Sequence, residues 1–453
     1  SHTGALAGSD EAYNAFFDQA RIIRVETIHD LFAKAAALAS QPPPGGSRVG
    51  ILTNAGGIGI MATDACIANG LELARLTDKT RTAMKQHVPP TASVSNPVDI
   101  IGDADEKRYA AVLKLLVEDE NVDLVLPIWT PTLMAEAVDI AAIIAEVGIA
   151  TEKPVLACIQ TMGDSAAIRR ALLKDRIPHY QFPESAARAM SAMARFAAWS
   201  RRPQGDTTRF DDTNLERVQE IVALARSRDS VFISEPEGHD ILRAYGLPVP
   251  EYRLTKTKDE ALAAAKTVGY PVVLKIVSPD ILHKTDFGGV RVNIADEVAL
   301  RKDYDELVRV VGERAPDASI WGVLVQRMAG KGTETILGMK RDPQFGPLLM
   351  FGLGGVMVEV LKDVVFRVAP ISDESAQSMV TGIKAHKLLE GFRGELPRDV
   401  EKVKECLLRL SQLVTDFEDF DEIDINPLRV FEEGRGAIVL DARFLLRQPV
   451  PRT

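Results

Sequence analysis

The stretch VGILTNAGGIG (Val49–Gly59) decides the fold of the first half of the chain. Its apolar start predicts a short buried strand, and the three glycines after Asn54 predict a tight loop that leads into a helix. Two further apolar runs, 124–126 and 155–157, each precede a helical segment. Strands that alternate with helices form a parallel sheet covered on both faces. Residues 47–200 are therefore predicted to form a doubly wound α/β domain.

The second half of the chain shows a different pattern. Residues 201–212 are polar and contain Pro and Gly, which is typical of a linker. A helix is predicted over Gly238–Tyr245 and a strand over Val272–Ile276, followed by a hairpin-like stretch. Further strands are predicted around residues 322–327, 335–339, 423–430 and 437–441. This mixture predicts an α+β region rather than a second doubly wound one.

The composition narrows the class of protein. At 453 residues the chain is too long for one core, and its 46% hydrophobic and 26% charged residues are typical of a soluble globular protein. The net charge of −10, spread along the chain, argues against nucleic acid as a partner, because nucleic-acid binding needs a concentrated basic surface. The negative net charge does not exclude small anionic ligands, since local loops can bind them.

Other features predict a cytoplasmic protein with no membrane partner. No apolar stretch approaches the ~20 residues that span a bilayer, and no signal peptide is present. Cys66, Cys158 and Cys406 are far apart in apolar stretches, which indicates buried thiols in a reducing compartment. The sequence begins Ser1-His2-Thr3 without an initiator Met, so we expect a fragment or a processed chain.

The Asn54–Gly59 loop is the first candidate site. Such a loop lets backbone N–H groups reach a phosphate at the positive end of a helix. A tight turn without a ligand fits the same residues. The pattern is not a P-loop, because no Gly-Lys-Ser/Thr follows.

Two basic side chains after Val272 are further candidates. Lys275 ends an apolar strand, which favours either contact with a nucleotide phosphate or an ammonium group that reaches solvent. His283 lies in the loop SPDILHKTDFGGV (Ser278–Val290) beside a Gly pair. Imidazole can be a nucleophile toward phosphorus near neutral pH and later a leaving group, although a surface histidine fits the loop as well.

An acidic strand near the C-terminus is a candidate metal site. Alternation places Glu422, Asp424 and Asn426 on one face, and Asp441 can lie opposite on the next strand. Carboxylate and amide oxygens suit Mg²⁺, which is usually shared with substrate phosphates; a solvated acidic hairpin face is the alternative. The Gly-rich stretch Phe351–Val356 fits a phosphate lid or a tight hairpin equally.

Taken together, these segments resemble the nucleoside-diphosphate-forming acyl-CoA synthetase family, relatives of succinyl-CoA synthetase. The resemblance covers essentially the whole chain. Residues 1–8 resemble the family's phosphohistidine loop, and Asn54–Gly57 with Ser95–Asp99 resemble its second flavodoxin-like domain. The remaining segments resemble its ATP-grasp domain: Lys275, the His283 loop, Val325–Met328, Glu334, Gly352–Gly355 and Asp424–Pro427.

This resemblance implies an α/β fold class, with a flavodoxin-like doubly wound parallel domain followed by an α+β ATP-grasp domain. Residues 1–25 would be the tail of a first flavodoxin-like domain with the phosphohistidine loop, and 26–200 the second flavodoxin-like CoA-ligase domain. Residues 201–230 would be a linker and 231–453 the ATP-grasp domain.

The implied activity is that of an ADP-forming acyl-CoA synthetase, which interconverts acid, CoA and ATP with acyl-CoA, ADP and phosphate through phosphohistidine. His2 would accept the phosphoryl group from an acyl phosphate, and His283 would carry it to ADP. The helix start at Asn54, Gly56 and Gly57 would stabilise the phosphate on His2. Lys275 would hold the ADP phosphates. The implied ATP and metal ligands are Lys275, Gly288, Gly289, Gln326, Met328 and Glu334 for ATP, and Asn426 and Asp441 for Mg²⁺.

One departure limits the implied activity. Family members carry a CoA-binding domain and most of the first flavodoxin-like domain before the phosphohistidine loop, and this sequence does not include them. We therefore expect the CoA site to lie mostly on an upstream segment or a partner chain, with a small carboxylic acid or acyl-CoA as substrate, in an oligomer. Alone, the chain is expected to bind ATP and Mg²⁺ and to phosphorylate His283 without making acyl-CoA.

Two other functions fit parts of the pattern. A synthetase-like regulatory region of a protein lysine acetyltransferase would share the domains, but in such regions the phosphohistidine is often lost, so His2 and His283 favour the enzyme. An ATP-grasp carboxylate–amine ligase would use an acyl phosphate directly and would need no His283 loop. The sequence does not identify the acyl substrate, and it does not decide whether the nucleotide is ATP or GTP.

Overall fold

The computed structural model describes residues 9–161, 165–201, 205–281, 283–354, 363–391 and 394–448. The chain divides into two compact units. We call Arg21–Gln204 the α/β unit, and Gly205–Thr453 together with Ser1–Ala20 the α+β unit. Helix α1 (Ser9–Gln19) therefore belongs with the second half of the chain.

The α/β unit is a doubly wound parallel sheet, as predicted. Its strands pair in the order β2-β1-β4-β5-β6, and β3 also pairs with β1, all in parallel. The elements follow one another as α2 (Ile28–Ser40), β1 (Arg48–Thr53), α3 (Gly56–Ala68), β2 (Glu72–Leu73), α4 (Asp78–Met84), β3 (Val98–Asp99), α5 (Glu106–Glu118), β4 (Leu124–Trp129), α6 (Ala137–Ile149), β5 (Ala157–Ile159), α7 (Ala166–Lys174), β6 (His179–Tyr180) and α8 (Pro183–Arg201).

Both faces of this sheet are buried, which explains why its strands are continuously apolar. Along β1, Val49 and Ile51 pack into one core cluster and Leu52 into the other, as the two-residue period of a strand requires. The carboxyl end of β1 leads into the Asn54 loop. At this point the sheet continues through β2 on one side of β1 and through β4 on the other, the position where doubly wound folds bind ligands.

The α+β unit contains two antiparallel sheets. One has the order β10-β9-β11-β8, and the other has the order β14-β13-β12-β15-β17-β7, with β16 paired to β15. Its elements after α1 are α9 (Leu215–Ser227), β7 (Phe232–Ile233), α10 (Glu235–Ala244), β8 (Tyr252–Thr255), α11 (Lys258–Val268), β9 (Val272–Val277), β10 (Val290–Ile294), α12 (Glu297–Arg314), β11 (Gly322–Arg327), β12 (Thr333–Asp342), β13 (Gly346–Leu353), β14 (Val364–Val368), α13 (Asp373–Gly382), α14 (Val400–Asp416), β15 (Phe420–Val430), β16 (Ala437–Val439) and β17 (Ala442–Leu446). This confirms the predicted α+β class.

The segment predicted as a linker, 201–230, contains the helix α9. Its residues Val218, Ile221, Val222 and Ala225 are buried in the core of the larger sheet. Their spacing of three and four residues places them on one helix face. This apolar face indicates a packed helix, although the polar residues before it are typical of a linker. The linker prediction is therefore wrong from Leu215 onward.

Helix α10 begins earlier than predicted. The Glu237 carboxylate accepts hydrogen bonds from the backbone N–H of Ser234 (3.1 Å) and from its hydroxyl (2.6 Å). This capping box starts the helix at Glu235 rather than at Gly238. The helix ends where Gly246 takes a φ of +73°, which glycine adopts without strain.

Helix α1 packs on the outer strands of the larger sheet. Tyr13 and Phe16 each place their ring centroid 4.9 Å from that of Phe345. The Gln19 side chain donates to the backbone carbonyl of Val368 (2.8 Å) and accepts from its N–H (2.6 Å). None of the helices in the described ranges is long and apolar enough to cross a membrane.

Candidate active site

A cleft in the α+β unit collects four of the residues that the sequence singled out there: His283, Asp424, Asn426 and Asp441. It lies beside the loop after β9, the start of α10, the middle of β15 and the start of β17. Its chemically active lining residues are Glu235, His283, Lys284, Asp424, Asn426 and Asp441.

His283 is presented by a tight turn. The side chain is exposed and lines the cleft, and the His283 carbonyl accepts the N–H of Asp286 (3.1 Å). The Gly288 N–H donates to the backbone carbonyl oxygen of Thr285 (3.0 Å), and the Gly289 N–H donates to that of Lys284 (2.7 Å). The Gly pair thus closes the turn, and its N–H groups are used inside it.

Glycine is required at the second position of this pair. A Cβ on Gly289 would lie 2.6 Å from Ile276 Cγ2 and 3.0 Å from the Lys284 carbonyl oxygen. No side chain fits at such distances without moving the turn away from β9. The glycines predicted as ATP ligands therefore have a visible structural role, which is to hold His283 in place.

Lys275 is buried behind the wall of the cleft. Its ammonium group donates to Glu235 Oε1 and to the Leu440 carbonyl oxygen, both at 2.6 Å. Lys284, which the sequence reading gave no role of its own, lines the cleft instead. Its Nζ lies 3.1 Å from Glu235 Oε2 and 3.4 Å from each carboxylate oxygen of Asp441.

The charges of this network stabilise one another. Burial alone would raise the pKa of the Glu235 carboxyl, but the ammonium groups of Lys275 and Lys284 outweigh it and hold that pKa well below its usual value. Burial alone would lower the pKa of Lys284, but the Asp441 and Glu235 carboxylates outweigh it and raise that pKa. The Glu235 carboxylate and the Lys284 ammonium group are therefore both charged near neutral pH.

His239 lies behind the same network. Its side chain is fully buried, and neither ring nitrogen has a hydrogen-bond partner within the described ranges. Burial lowers the pKa of His239 to about 4, although the nearby Glu235 carboxylate opposes the shift. The imidazole is therefore neutral at pH 7.

Asp424, Asn426 and Asp441 form an acidic wall of the cleft. The Asn426 N–H donates to the Asp441 carbonyl oxygen (3.1 Å), which fixes the two residues side by side. Glu422, predicted on the same strand face, lies 3.5 Å from Lys340 Nζ and is not among the residues that line the cleft. Within the described ranges no three His, Cys, Asp or Glu side chains form a metal cage. Two carboxylates and an amide suit Mg²⁺, which takes hard oxygen ligands and shares its sphere with phosphates.

The predicted base-binding residues follow along β11 and β12. Gln326 is buried, and its Nε2 donates to the Leu440 carbonyl oxygen (3.3 Å). Its Oε1 has no hydrogen-bond partner in the part of the chain that the structure describes. The Met328 N–H donates to Pro271 (3.0 Å), and the Glu334 carboxylate pairs with Arg429 (2.5 Å).

In the α/β unit the Asn54 side chain has a structural partner. Its Nδ2 donates to the Thr130 carbonyl oxygen and its Oδ1 accepts the Thr130 N–H, both at 2.8 Å. Asn54 thus joins the ends of β1 and β4, and its amide is not free for a phosphate. Gly56 and Gly57 are exposed at the start of α3, whose N-cap residue Ala55 makes no side-chain cap.

Two predicted features fall partly outside the described residues. His2 lies outside them, as does Gly355. In the Gly-rich stretch Phe351–Val356, residues Phe351–Leu353 belong to β13. The Gly354 N–H donates to the backbone carbonyl oxygen of Glu334 (2.8 Å). The sequence reading missed Glu235; its position in the first turn of a helix, after Ser234, gave only a capping signal.

Known proteins are similar to this chain over almost its whole length. Three family models match: a succinyl-CoA ligase like flavodoxin domain over residues 1–38, a Ligase-CoA domain over 49–203 and an ATP-grasp domain over 224–446. The 4-hydroxybutyrate–CoA ligase [ADP-forming] of Nitrosopumilus maritimus is 41% identical over 98% of this chain and 63% of its own length. Acetate–CoA ligase [ADP-forming] I of Archaeoglobus fulgidus is 41% identical over 99% of this chain and 64% of its own length.

Shorter relatives are matched almost completely. The beta subunit of acetate–CoA ligase [ADP-forming] II of Pyrococcus furiosus is 46% identical over 51% of this chain and 98% of its own length. A solved acetyl-coenzyme A synthetase 1 of Ca. Korarchaeum cryptofilum, in complex with coenzyme A and Ca-AMPCP, is 44% identical, with a TM-score of 0.50 over 51% of this chain and 99% of that chain. This chain spans less than two thirds of the first two relatives. It belongs to the ADP-forming acyl-CoA ligase family.

Proposed function

We propose that this chain carries the nucleotide-using part of an ADP-forming acyl-CoA ligase, which interconverts acid, CoA and ATP with acyl-CoA, ADP and phosphate. The observation that carries the proposal is the position of His283. Its exposed imidazole lines one cleft with the ammonium group of Lys284 and with Asp424, Asn426 and Asp441.

The proposed step at this cleft is phosphoryl transfer between ATP and His283. An imidazole nitrogen attacks the γ-phosphorus, the bond to the β,γ-bridging oxygen breaks, and ADP leaves. The reverse step returns the group to ADP. Positioning and charge neutralisation dominate such a transfer, and here Lys284 would face the phosphates. Asn426 and Asp441 would hold Mg²⁺, which supplies further positive charge when bound.

The rest of the nucleotide would extend from this cleft toward β11. Gln326 and Met328 would lie beside the adenine base. Glu334 would act near the ribose, and Gly288 and Gly289 would act by shaping the His283 turn. Lys275 would contribute its charge to the phosphates from behind Glu235.

A second phosphate site is proposed in the α/β unit. The N–H groups of Gly56 and Gly57 at the start of α3 would stabilise the phosphoryl group on His2. Support comes from the exposure of both glycines and from their place at the carboxyl end of β1, where the sheet order changes direction.

The acid and CoA would be bound with the help of a further domain, upstream or on a partner chain. The chain spans 63% and 64% of two relatives, and Pyrococcus furiosus relatives are separate alpha and beta subunits. Helix α2 exposes Ile28 (75%), Leu31 (48%) and Phe32 (70%) at helical spacing. We infer that this stripe packs against the rest of the flavodoxin-like domain, to which residues 1–38 are matched.

Labelled ATP tests the proposal. Incubation with [γ-³²P]ATP and Mg²⁺ should label the protein with an acid-labile, base-stable phosphate, as phosphohistidine is. His283→Ala should abolish this label. His386→Ala, at a half-buried histidine of the same unit outside the cleft lining, should keep it. An undiminished label on His283→Ala would overturn the proposal.

A further inference from the structure

Glu235 bridges two ammonium groups at the wall of the cleft. Its Oε1 lies 2.6 Å from Lys275 Nζ, and its Oε2 lies 3.1 Å from Lys284 Nζ. Oε1 thus accepts a hydrogen bond from Lys275, whereas Oε2 forms an ion pair with Lys284. No motif in the sequence pointed to this arrangement, because Glu235 and Lys275 lie on different elements, α10 and β9.

The carboxylate is held rigidly. Glu235 is the first residue of α10, whose start is fixed by the Ser234–Glu237 capping box. Its side chain is only 3% exposed, and a buried carboxylate is unfavourable unless charged partners surround it. The two lysines provide such partners, so the network can keep one geometry before any nucleotide arrives.

The two lysines differ in what they face. The Lys284 side chain is 15% exposed, lines the cleft and follows His283 directly in the chain. The Lys275 side chain is 8% exposed, is not part of the cleft lining, and is also bound by the Leu440 carbonyl oxygen. Lys284 is therefore the ammonium group that a phosphate in the cleft meets first.

We propose that Glu235 is a positioning residue that presents Lys284 to the nucleotide phosphates, with Lys275 as the buried anchor of Glu235. This inference rests on the proposed function, because it takes the cleft beside His283 as the phosphate site. Lys284 would contact the phosphates itself, whereas Glu235 acts only through it.

The chemistry of the ammonium group allows this division. An ammonium group has three N–H donors, so Lys284 can bond a phosphate oxygen and keep Glu235. Without the Glu235 carboxylate, Lys284 would be repelled by the positive charge of Lys275 and would keep only Asp441 as an anionic partner, so it would shift from the position beside His283. The loss of Glu235 would then weaken binding of phosphates even though it removes a negative charge near them.

Calorimetric titration with ADP in Mg²⁺, and separately with adenosine, tests the proposal on the whole chain. Lys284→Gln should weaken ADP binding by about 10- to 100-fold, the range of one charge-assisted hydrogen bond, and leave adenosine binding unchanged. Glu235→Gln should also weaken ADP binding alone. The double variant should bind ADP no more weakly than Lys284→Gln, because residues that act through one contact are not additive.

Lys340→Gln is the matched control. This lysine has a comparable ion pair, 2.8 Å from Asp421, but lies outside the cleft lining, so its removal should leave ADP affinity unchanged. Glu235→Asp is a second variant in case Glu235→Gln does not fold. It keeps the charge but is too short to reach both lysines, and it should weaken ADP binding with adenosine binding intact.

Three results would overturn the inference. They are normal ADP affinity in Lys284→Gln, unchanged or tighter ADP binding in a folded Glu235 variant, or additive losses in the double variant. If the wild-type chain binds ADP and phosphorylates His283 but these variants behave otherwise than expected, only the positioning role fails. If the wild-type chain neither binds ADP nor takes up label, the proposed function itself fails.

Discussion

Asn54 and Thr130 exchange two hydrogen bonds of 2.8 Å, one in each direction, between the ends of β1 and β4. The side-chain amide thus completes the sheet where the backbone of β1 turns into α3. Because both partners are buried or half-buried, the loss of either bond leaves a polar group without a partner.

Asn54→Ala is expected to destabilise the α/β unit. Two unsatisfied backbone groups at Thr130 should lower the free energy of unfolding by roughly 1–3 kcal/mol. Urea unfolding followed by circular dichroism measures the change. Asn54→Asp keeps the size but sets a carboxylate against the Thr130 carbonyl oxygen, and should be no more stable than Asn54→Ala. Wild-type stability in both variants would show that the pair is dispensable.

His239 predicts a pH dependence of stability. Burial lowers the pKa of the folded imidazole from 6.5 to about 4, so the unfolded chain takes up a proton that the folded chain does not. The free energy of unfolding should therefore fall as the pH decreases from about 6.5 to about 4, by up to about 3 kcal/mol from this group. Above pH 6.5 the His239 imidazole no longer makes the free energy of unfolding depend on pH.

Urea unfolding at several pH values checks this prediction. His239→Gln, which carries no titrating group, should show a smaller decrease of stability between pH 6.5 and 4 than the wild-type protein. His386→Gln serves as the control at a histidine whose side chain is 31% exposed, and should keep the wild-type slope. Equal slopes in wild type and His239→Gln would contradict the buried neutral imidazole.

Gly289→Ala is expected to disturb the His283 turn. The added methyl group would lie 2.6 Å from Ile276 Cγ2, and overpacking of this kind destabilises by typically about 1–3 kcal/mol. His283 phosphorylation, followed with labelled ATP, should slow more than the stability change explains. Gly312→Ala on α12, where nothing lies within 4 Å of the new methyl group, should label at the wild-type rate. Normal labelling of Gly289→Ala would contradict a positioning role for the turn.

Asp441→Asn is expected to weaken the use of Mg²⁺. The Mg²⁺ concentration for half-maximal ADP binding should rise by about tenfold or more, in line with the loss of one carboxylate at a metal site. The difference from wild type should disappear when EDTA removes the metal. Asp421→Asn removes a carboxylate from the neighbouring strand β15, outside the cleft lining, and should leave the Mg²⁺ dependence unchanged. A Mg²⁺ requirement that is equal in all three proteins would rule out Asp441 as a ligand.

The local patterns were readable from the sequence because each depends on neighbouring residues. The apolar strand before Asn54 predicted β1, and alternation predicted one strand face for Asp424 and Asn426, although only the fold shows that both line a cleft. The glycine pair beside His283 was also visible in the sequence. Only the structure shows why glycine is needed there, because the Ile276 side chain lies too close to Gly289 for a Cβ.

The partners of buried polar groups were not readable. Lys275 was interpreted as a direct phosphate ligand, but its carboxylate partner lies 40 residues away. Asn54 was interpreted in the same way, and its partner Thr130 is 76 residues away. A sequence shows that a buried charge or amide needs a partner, but only the tertiary fold shows which group supplies it.

The contact between Gln19 and Val368 has a further consequence. β14 is an outer strand of the larger sheet, and free backbone groups on such a strand invite pairing with another molecule. The amide of Gln19 occupies the N–H and the carbonyl of Val368, while Ala12 and Ala15 cover Ile336, Leu348 and Met350. Helix α1 therefore shields this edge, and a chain that lacked it would expose both an open strand and an apolar surface to self-association.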